Sequence, residues 1–121
     1  DTPVVCFTGD GGFYYHLSEI ETAVRYGINT VTVINNNTAL NQELETFDRL
    51  YNGHQTEDGL KMWKFAPTDF AKLAESMGAI GVRVERPADL PDALTTALNA
   101  NKPVVIDAIT DVEALGPLAW A

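Results

Sequence analysis

Two polar clusters, each directly after a β-rich apolar run, carry groups that could bind an anion and a cation together. Gly9-Asp10-Gly11-Gly12 follows residues 3–8, and Asn35-Asn36-Asn37-Thr38 follows residues 30–34. Glycines at a strand end let backbone N–H groups approach a ligand, most often a phosphate. Asp10 would repel a phosphate unless a cation lay between them, and Mg²⁺ accepts carboxylate, amide and phosphate oxygens together. The two clusters therefore predict a Mg²⁺-dependent diphosphate site.

Purely structural explanations of both clusters stay open. The glycines could form a tight strand-to-helix turn with a solvated Asp10, and the asparagines a polar turn, since asparagine tolerates left-handed backbone geometry. The glycines do not match a dinucleotide fingerprint, because Tyr14 stands where a third glycine is needed, and no Gly-Lys-Ser/Thr of a P-loop follows. If the first two strands are adjacent and parallel, Asn37 would offer a neutral oxygen to the cation that Asp10 binds. The pair of clusters is therefore more specific than either one alone.

Strand-like and helix-like segments alternate along the chain. The predicted strands are residues 3–8, 30–34, 79–85 and 104–109. The predicted helices are residues 17–26, 40–51, 69–77 and 90–98. We expect the first strand to be buried, Thr68 to cap the third helix, and residues 52–67 to form a surface excursion or mobile loop. This order predicts a three-layer α/β/α fold with a mainly parallel sheet, in which ligands bind outside the carboxyl ends of the strands.

Size and charge limit the classes of protein. The chain has 121 residues, enough for a single domain, and a net charge of −9 from 17 acidic and 8 basic residues. This charge argues against a nucleic-acid binder and against attraction to an anionic membrane surface. No apolar run approaches the roughly 18–20 residues that span a bilayer. A single cysteine, Cys6, cannot form an intrachain disulfide, which predicts a reducing, cytoplasmic setting.

The two clusters also resemble a known motif. Gly9-Asp10-Gly11, a spacer of 24 residues and Asn36-Asn37 resemble the thiamine-diphosphate-binding motif. The flanking text agrees over the segments GDGGF (9–13), LSEIETAVRYGI (17–28), VINNN (33–37), DFAKLAESMGA (69–79), VRVERPADLPDAL (82–94) and KPVVIDA (102–108). The chain thus resembles the C-terminal pyrophosphate-binding domain of the superfamily of acetolactate synthases, pyruvate oxidases and 2-oxo acid decarboxylases. The motif is specific for the cofactor and weak for the substrate.

The resemblance implies thiamine diphosphate and Mg²⁺ as cofactors and assigns site residues. Side-chain oxygens of Asp10 and Asn37 and the backbone carbonyl of Ala39 would bind the metal. The cofactor-binding glycines would be Gly9, Gly11 and Gly12, the last two through backbone N–H groups that contact the diphosphate.

The second cluster and the segment after it supply two further interpretations. Asn36 is expected to be a structural turn residue rather than a ligand. Glu43 lies six residues after Asn37, where pyruvate-decarboxylase-type enzymes place an active-site glutamate, and it could relay protons as a catalytic residue. The alternative is a solvated helix glutamate. Acetolactate synthases carry apolar residues and a tryptophan in this segment, so its polar residues put acetolactate synthesis itself in question.

The implied function is that of an acetolactate-synthase-like 2-oxo acid carboligase or decarboxylase, which forms or cleaves carbon–carbon bonds. A 2-oxo acid decarboxylase or a pyruvate-oxidase-type enzyme is the alternative, and FAD in the full enzyme stays open. Because the chain opens on Asp1 and a strand, we expect residues 1–121 to be a partial pyrophosphate- and Mg²⁺-binding domain, inactive alone. Its partners would be a pyrimidine-binding domain or subunit, further copies in a dimer or tetramer, and a small 2-oxo acid. A non-catalytic interaction module with the same fold is the competing class, and a generic nucleotide or flavin binder is a third.

Overall fold

A computed structural model describes residues 2–114, apart from the side chain of Glu43. The four strands are β1 (Val4–Gly9), β2 (Thr30–Asn36), β3 (Ile80–Val84) and β4 (Val104–Ile109). The six α-helices are α1 (Asp10–Tyr14), α2 (Glu19–Tyr26), α3 (Leu44–Leu50), α4 (Glu57–Lys61), α5 (Phe70–Ser76) and α6 (Leu90–Leu98). Two 3₁₀ turns, Asn41–Glu43 and Pro87–Asp89, precede α3 and α6.

The strands form one parallel sheet in the order β1-β2-β4-β3. Gly9 at the end of β1 lies opposite Asn35 near the end of β2, and Ile34 lies opposite Asp107 of β4. The two polar clusters therefore meet at the carboxyl edge of the sheet, because parallel neighbours end on the same side. The predicted parallel α/β sheet is confirmed.

Side-chain alternation along the central strands builds a core on each face of the sheet. On one face Ile34 and Val105 pack with residues of α1, α2 and α5. On the other face Val33 and Ile106 pack with residues of α6. The three-layer α/β/α arrangement is therefore confirmed.

The first strand is not buried, which corrects the prediction for residues 3–8. Phe7 is 74% exposed and Val5 is 49% exposed. Both side chains lie on the face of their β2 partners Val33 and Val31, and the core on that face includes no β1 residue among those the structure describes. Apolar composition predicted the strand correctly, but its position at the sheet edge leaves it uncovered.

The middle of the chain also differs from its prediction. The helix expected over residues 40–51 is a 3₁₀ turn followed by α3, and no residue of α3 is buried. Residues 52–67 are more ordered than expected: α4 begins after Thr56, whose hydroxyl accepts from the N–H of Gly59 at 3.1 Å, and Trp63 is 3% exposed. Tertiary contacts of Trp63 decide this segment, since its sequence is rich in turn-forming residues.

The N-cap of α5 is Asp69 rather than the predicted Thr68. The Asp69 carboxylate accepts from the N–H of Lys72 at 2.9 Å. The Thr68 hydroxyl instead lies 2.6 Å from the hydroxyl of Tyr14. Both residues are good capping types, so the local sequence does not distinguish them. Across residues 2–114, no helix combines the length and apolar character that crossing a bilayer would require.

Candidate functional site

A cavity of about 620 Å³ lies at the carboxyl ends of β1 and β2. The six residues predicted to bind the cofactor all line it: Gly9, Asp10, Gly11, Gly12, Asn37 and Ala39. No lysine, arginine or histidine is among the described residues that form its wall. An anion in this cavity would therefore need backbone N–H groups or a cation to balance its charge.

Asp10 is the charged group of the cavity, and it is only 2% exposed. Its Oδ1 accepts from the N–H of Gly11 at 2.7 Å, and its Oδ2 accepts from the N–H of Ala39 at 3.1 Å. Burial raises the pKa of the Asp10 carboxyl above its usual value, while these backbone hydrogen bonds act to lower it. A cation bound here would remove much of the cost of burying this charge.

The side-chain oxygen of Asn37 accepts from the same backbone N–H as Asp10 Oδ2. Asn37 Oδ1 accepts from the N–H of Ala39 at 3.1 Å, so both oxygens lie 3.1 Å from a single nitrogen. Both oxygens accept from one N–H and therefore face the same small space, the arrangement that a shared cation with ligands about 2.1 Å away would require. The donor set of a carboxylate and an amide oxygen fits Mg²⁺, and Ala39, whose carbonyl was predicted as a third ligand, lines the same cavity.

The described residues do not supply a full set of anionic metal ligands by themselves. No group of three or more His, Cys, Asp or Glu residues suited to a metal occurs in residues 2–114. Mg²⁺ usually keeps few protein ligands and completes its octahedron with water and substrate phosphates. Asp10 with Asn37 therefore suits a metal that is bound together with a diphosphate.

Residues 63–65, in the segment that was predicted to be a loop, hold the end of the asparagine cluster by backbone hydrogen bonds. The N–H of Leu40 donates to the Trp63 carbonyl at 2.7 Å, and the N–H of Phe65 donates to the Thr38 carbonyl at 2.8 Å. These two bonds pair residues 38–40 with residues 63–65, and the buried Trp63 side chain anchors the pairing. Sequence analysis missed this contribution, whose only local signal was a pair of aromatic residues in a polar stretch.

A second residue that sequence analysis missed is Asp107, which is 0% exposed. It accepts hydrogen bonds from the Asn36 side chain at 2.8 Å, the N–H of Phe70 at 3.0 Å and Arg83 at 3.2 Å. Asn36 is itself 2% exposed and also donates to the Thr68 carbonyl at 3.1 Å. The signal for Asp107 was an acidic residue inside the apolar run of β4.

The cavity wall continues into residues 40–42. Asn41 and Gln42 line it, and the buried side-chain oxygen of Asn41 has no hydrogen-bond partner among the described residues. Glu43, the predicted catalytic residue, ends this 3₁₀ turn, and its side chain lies outside the described part of the chain. Its role stays a prediction.

Fold and cavity together define an α/β domain with a ligand-sized cavity at the carboxyl edge of a parallel sheet. The sequence matches the family model described as "Thiamine pyrophosphate enzyme, C-terminal TPP binding domain" over residues 1–108. The chain belongs to this family, and the resemblance stated from the motif is confirmed.

Similar proteins are enzymes several times longer than this chain. It is 36% identical over 109 residues to the acetolactate synthase large subunit of Haemophilus influenzae, and the aligned segment covers 89% of this chain and 18% of that protein. It is 39% identical over 110 residues to the acetolactate synthase of Bacillus subtilis, covering 89% and 18%. It is 33% identical over 118 residues to the 2-hydroxyacyl-CoA lyase of Oryza sativa subsp. japonica, covering 92% and 19%. The chain thus spans about a fifth of the length of these relatives.

A solved structure supports the same fold. The thiamine diphosphate-dependent 4-hydroxybenzoylformate decarboxylase of Rhodococcus jostii RHA1 has a TM-score of 0.78 and 30% identity, covering 92% of this chain and 20% of that one. Benzoylformate decarboxylase from Polynucleobacter necessarius has the same TM-score at 27% identity, covering 96% and 21%.

Proposed function

We propose that this chain binds Mg²⁺ and the diphosphate of thiamine diphosphate within an acetolactate-synthase-like enzyme that acts on 2-oxo acids. The observation that carries the proposal is the convergence of Asp10 Oδ2 and Asn37 Oδ1 on the Ala39 N–H. One ionised and one neutral ligand leave most of the Mg²⁺ charge to neutralise a diphosphate. This explains how an acidic domain, with a cavity wall that lacks basic side chains in the described residues, can accept a polyanion.

Each part of the cavity has a role in that binding. Asp10, Asn37 and the Ala39 carbonyl would hold the metal. Backbone N–H groups of Gly11 and Gly12 would contact the diphosphate, and Gly9 would leave room for it. The chemistry that thiamine diphosphate would supply when bound is attack on a carbonyl carbon and storage of the electron pair that stays behind when CO₂ leaves. This chain's residues anchor and orient the group that does that work.

The substrate class rests on the relatives. Acetolactate synthases and a 2-hydroxyacyl-CoA lyase favour an enzyme that makes or breaks a carbon–carbon bond beside a carbonyl. A 2-oxo acid decarboxylase is the second candidate, favoured by the two benzoylformate-type decarboxylases of similar fold. We further propose that catalysis needs a pyrimidine-binding domain or subunit and assembly into a dimer or tetramer, so that the isolated chain has no turnover.

Calorimetry with thiamine diphosphate, with and without Mg²⁺, tests the binding proposal. We expect Mg²⁺-dependent binding that is lost in the Asp10→Ala, Asn37→Ala double variant, because both side-chain metal ligands are removed. Asp92→Ala with Asn99→Ala is the matched control, since both residues lie on or next to α6 and outside the cavity. Binding that survives in the first double variant would contradict the proposal, as would a stable partner complex without any diphosphate binding.

Glu43 is proposed as the proton-relay residue of the full enzyme. Replacing it with glutamine should lower kcat while the affinity for thiamine diphosphate stays the same, because the metal and diphosphate ligands are untouched. An unchanged kcat would favour a solvated glutamate.

A further inference from the structure

We propose that Asp107 is a positioning residue for the cofactor site, which acts through Asn36 on the turn formed by residues 36–39. This inference rests on the proposed function, because the 36–39 turn carries Asn37 and Ala39. Asp107 lies on β4, outside the cavity wall, and its position in the chain is 71 residues from Asn36.

Asp107 is held by donors on both of its carboxylate oxygens. A carboxylate at 0% exposure needs donors around both oxygens to offset its desolvation. Oδ1 accepts from Asn36 Nδ2 at 2.8 Å, and Oδ2 accepts from the N–H of Phe70 at 3.0 Å and from Arg83 Nη1 at 3.2 Å. Two of these donors belong to β3 and α5, so Asp107 links the 36–39 turn to the rigid part of the fold.

Asp107 sets the orientation of the Asn36 side chain. An ionised carboxylate can only accept hydrogen bonds, so the Asn36 amide must turn its NH₂ toward it. The same NH₂ donates to the Thr68 carbonyl at 3.1 Å. The Asn36 Oδ1 then faces the N–H of Thr38 and accepts from it at 3.3 Å. A donor in place of the carboxylate would oppose this orientation.

The backbone of the 36–39 turn is strained at Thr38. Thr38 has a φ of +58°, a left-handed conformation that is unfavourable for a β-branched residue. The N–H of Thr38 donates to the Asn36 side chain, and the Thr38 hydroxyl donates to the Asn37 carbonyl at 2.7 Å. If Asn36 lost its orientation, Thr38 would be free to leave this conformation. The Asn37 oxygen and the Ala39 carbonyl would then move away from the cation.

The test uses Asp107→Asn in the full-length protein that contains this chain, with thiamine diphosphate and Mg²⁺ as the probe in calorimetry. Asparagine keeps the shape but directs an NH₂ at one of the donors around position 107. We expect Mg²⁺-dependent affinity to fall about 10- to 100-fold, the usual effect of removing a residue that orients a metal ligand.

Asp69→Ala is the matched control for a merely structural role. Asp69 and Asp107 both accept hydrogen bonds from backbone N–H groups in the first turn of α5. Asp69, however, makes no hydrogen bond to the 36–39 turn. Asp69→Ala should lower the melting temperature while the affinity stays within about twofold of the wild type. A loss of affinity in Asp69→Ala as large as in Asp107→Asn would overturn the proposal.

A second variant keeps the test decisive if Asp107→Asn fails to fold. In Asn36→Ser the serine side chain is too short to reach Asp107. The Mg²⁺-dependent affinity of this variant for thiamine diphosphate should fall by a similar factor. If both variants fold, combining them should weaken binding little more than either one, because Asp107 acts through Asn36. Wild-type affinity in Asp107→Asn or in Asn36→Ser would overturn the positioning role alone. Absence of Mg²⁺-dependent binding in the wild type would overturn the proposed function as well.

Discussion

Residues 9–12, where β1 passes directly into α1 (here the first turn), and residues 36–39 (the second turn) lie side by side on one cavity but differ in what they contain. The first follows β1 with three glycines around one buried carboxylate, and an added Cβ at Gly9 would meet no atom within 4 Å. In the second, the residues from Asn36 to Thr38 are held by side-chain hydrogen bonds that reach Asp107. The first turn therefore provides space and charge, while the second provides a fixed orientation. Adding atoms should harm the first, and removing bonds should harm the second.

The largest expected effect comes from adding a side chain to the first turn. Gly9 has φ −79° and ψ 164°, which any residue adopts, so Gly9→Leu should keep the free energy of unfolding within about 1 kcal/mol. Its side chain would take up space at the cavity wall and should weaken Mg²⁺-dependent thiamine diphosphate binding at least about tenfold, or 1.4 kcal/mol. Calorimetry and thermal unfolding of Gly9→Ala and Gly9→Leu measure both quantities. Equal affinity in the wild type and Gly9→Leu would contradict a cofactor beside this turn.

The next effect depends on the charge of the first turn. Because burial raises the pKa of the Asp10 carboxyl, protons compete with the metal at a higher pH than for an exposed aspartate. Affinity should fall as the pH drops through this raised pKa, approaching about tenfold per pH unit below it. Without metal, Asp10 has the opposite effect on folding: its contribution to stability grows as the pH falls from the raised pKa toward the unfolded value.

Carbon-13 NMR titration of the Asp10 carboxyl in the metal-free protein provides the direct measurement. A titration at or below the usual aspartate pKa of about 3.9 would contradict the effect of burial.

The smallest expected effect comes from relaxing the second turn. Thr38→Gly removes the hydroxyl that donates to the Asn37 carbonyl, and glycine adopts a φ of +58° without steric cost. Relief of strain and added chain entropy nearly cancel, so the free energy of unfolding should change by less than about 1 kcal/mol. Affinity should fall about two- to tenfold, the usual range for one lost hydrogen bond.

Asn52→Gly is the control for Thr38→Gly, because Asn52 is exposed, has a φ of +51° and lies outside the cavity. It should leave the affinity unchanged. Tighter binding by Thr38→Gly would show that the second turn does not need to be rigid.

Much of the fold and of the cavity was predictable from the sequence. The β-branched and apolar runs of β2 and β4 indicate strands that are buried on both faces, and the helical spacing in α6 indicates one buried face, because burial repeats with the geometry of each element. The two clusters were expected to meet, since ends of adjacent parallel strands coincide. Phe7 shows the limit: apolar composition indicates a strand but not which position in the sheet it takes.

The residue types and their spacing alone determined the parallel α/β class, the pairing of Asp10 with Asn37 and the likeness to thiamine-diphosphate enzymes, because these depend on local chemistry and periodicity. That likeness in turn implied the full set of six cavity residues. Only the tertiary structure decided that Asp107 holds Asn36, that Trp63 anchors residues 38–40, and that β1 lies at an exposed edge. Those features join residues far apart in the chain, and no local pattern encodes which distant donor meets a buried acceptor.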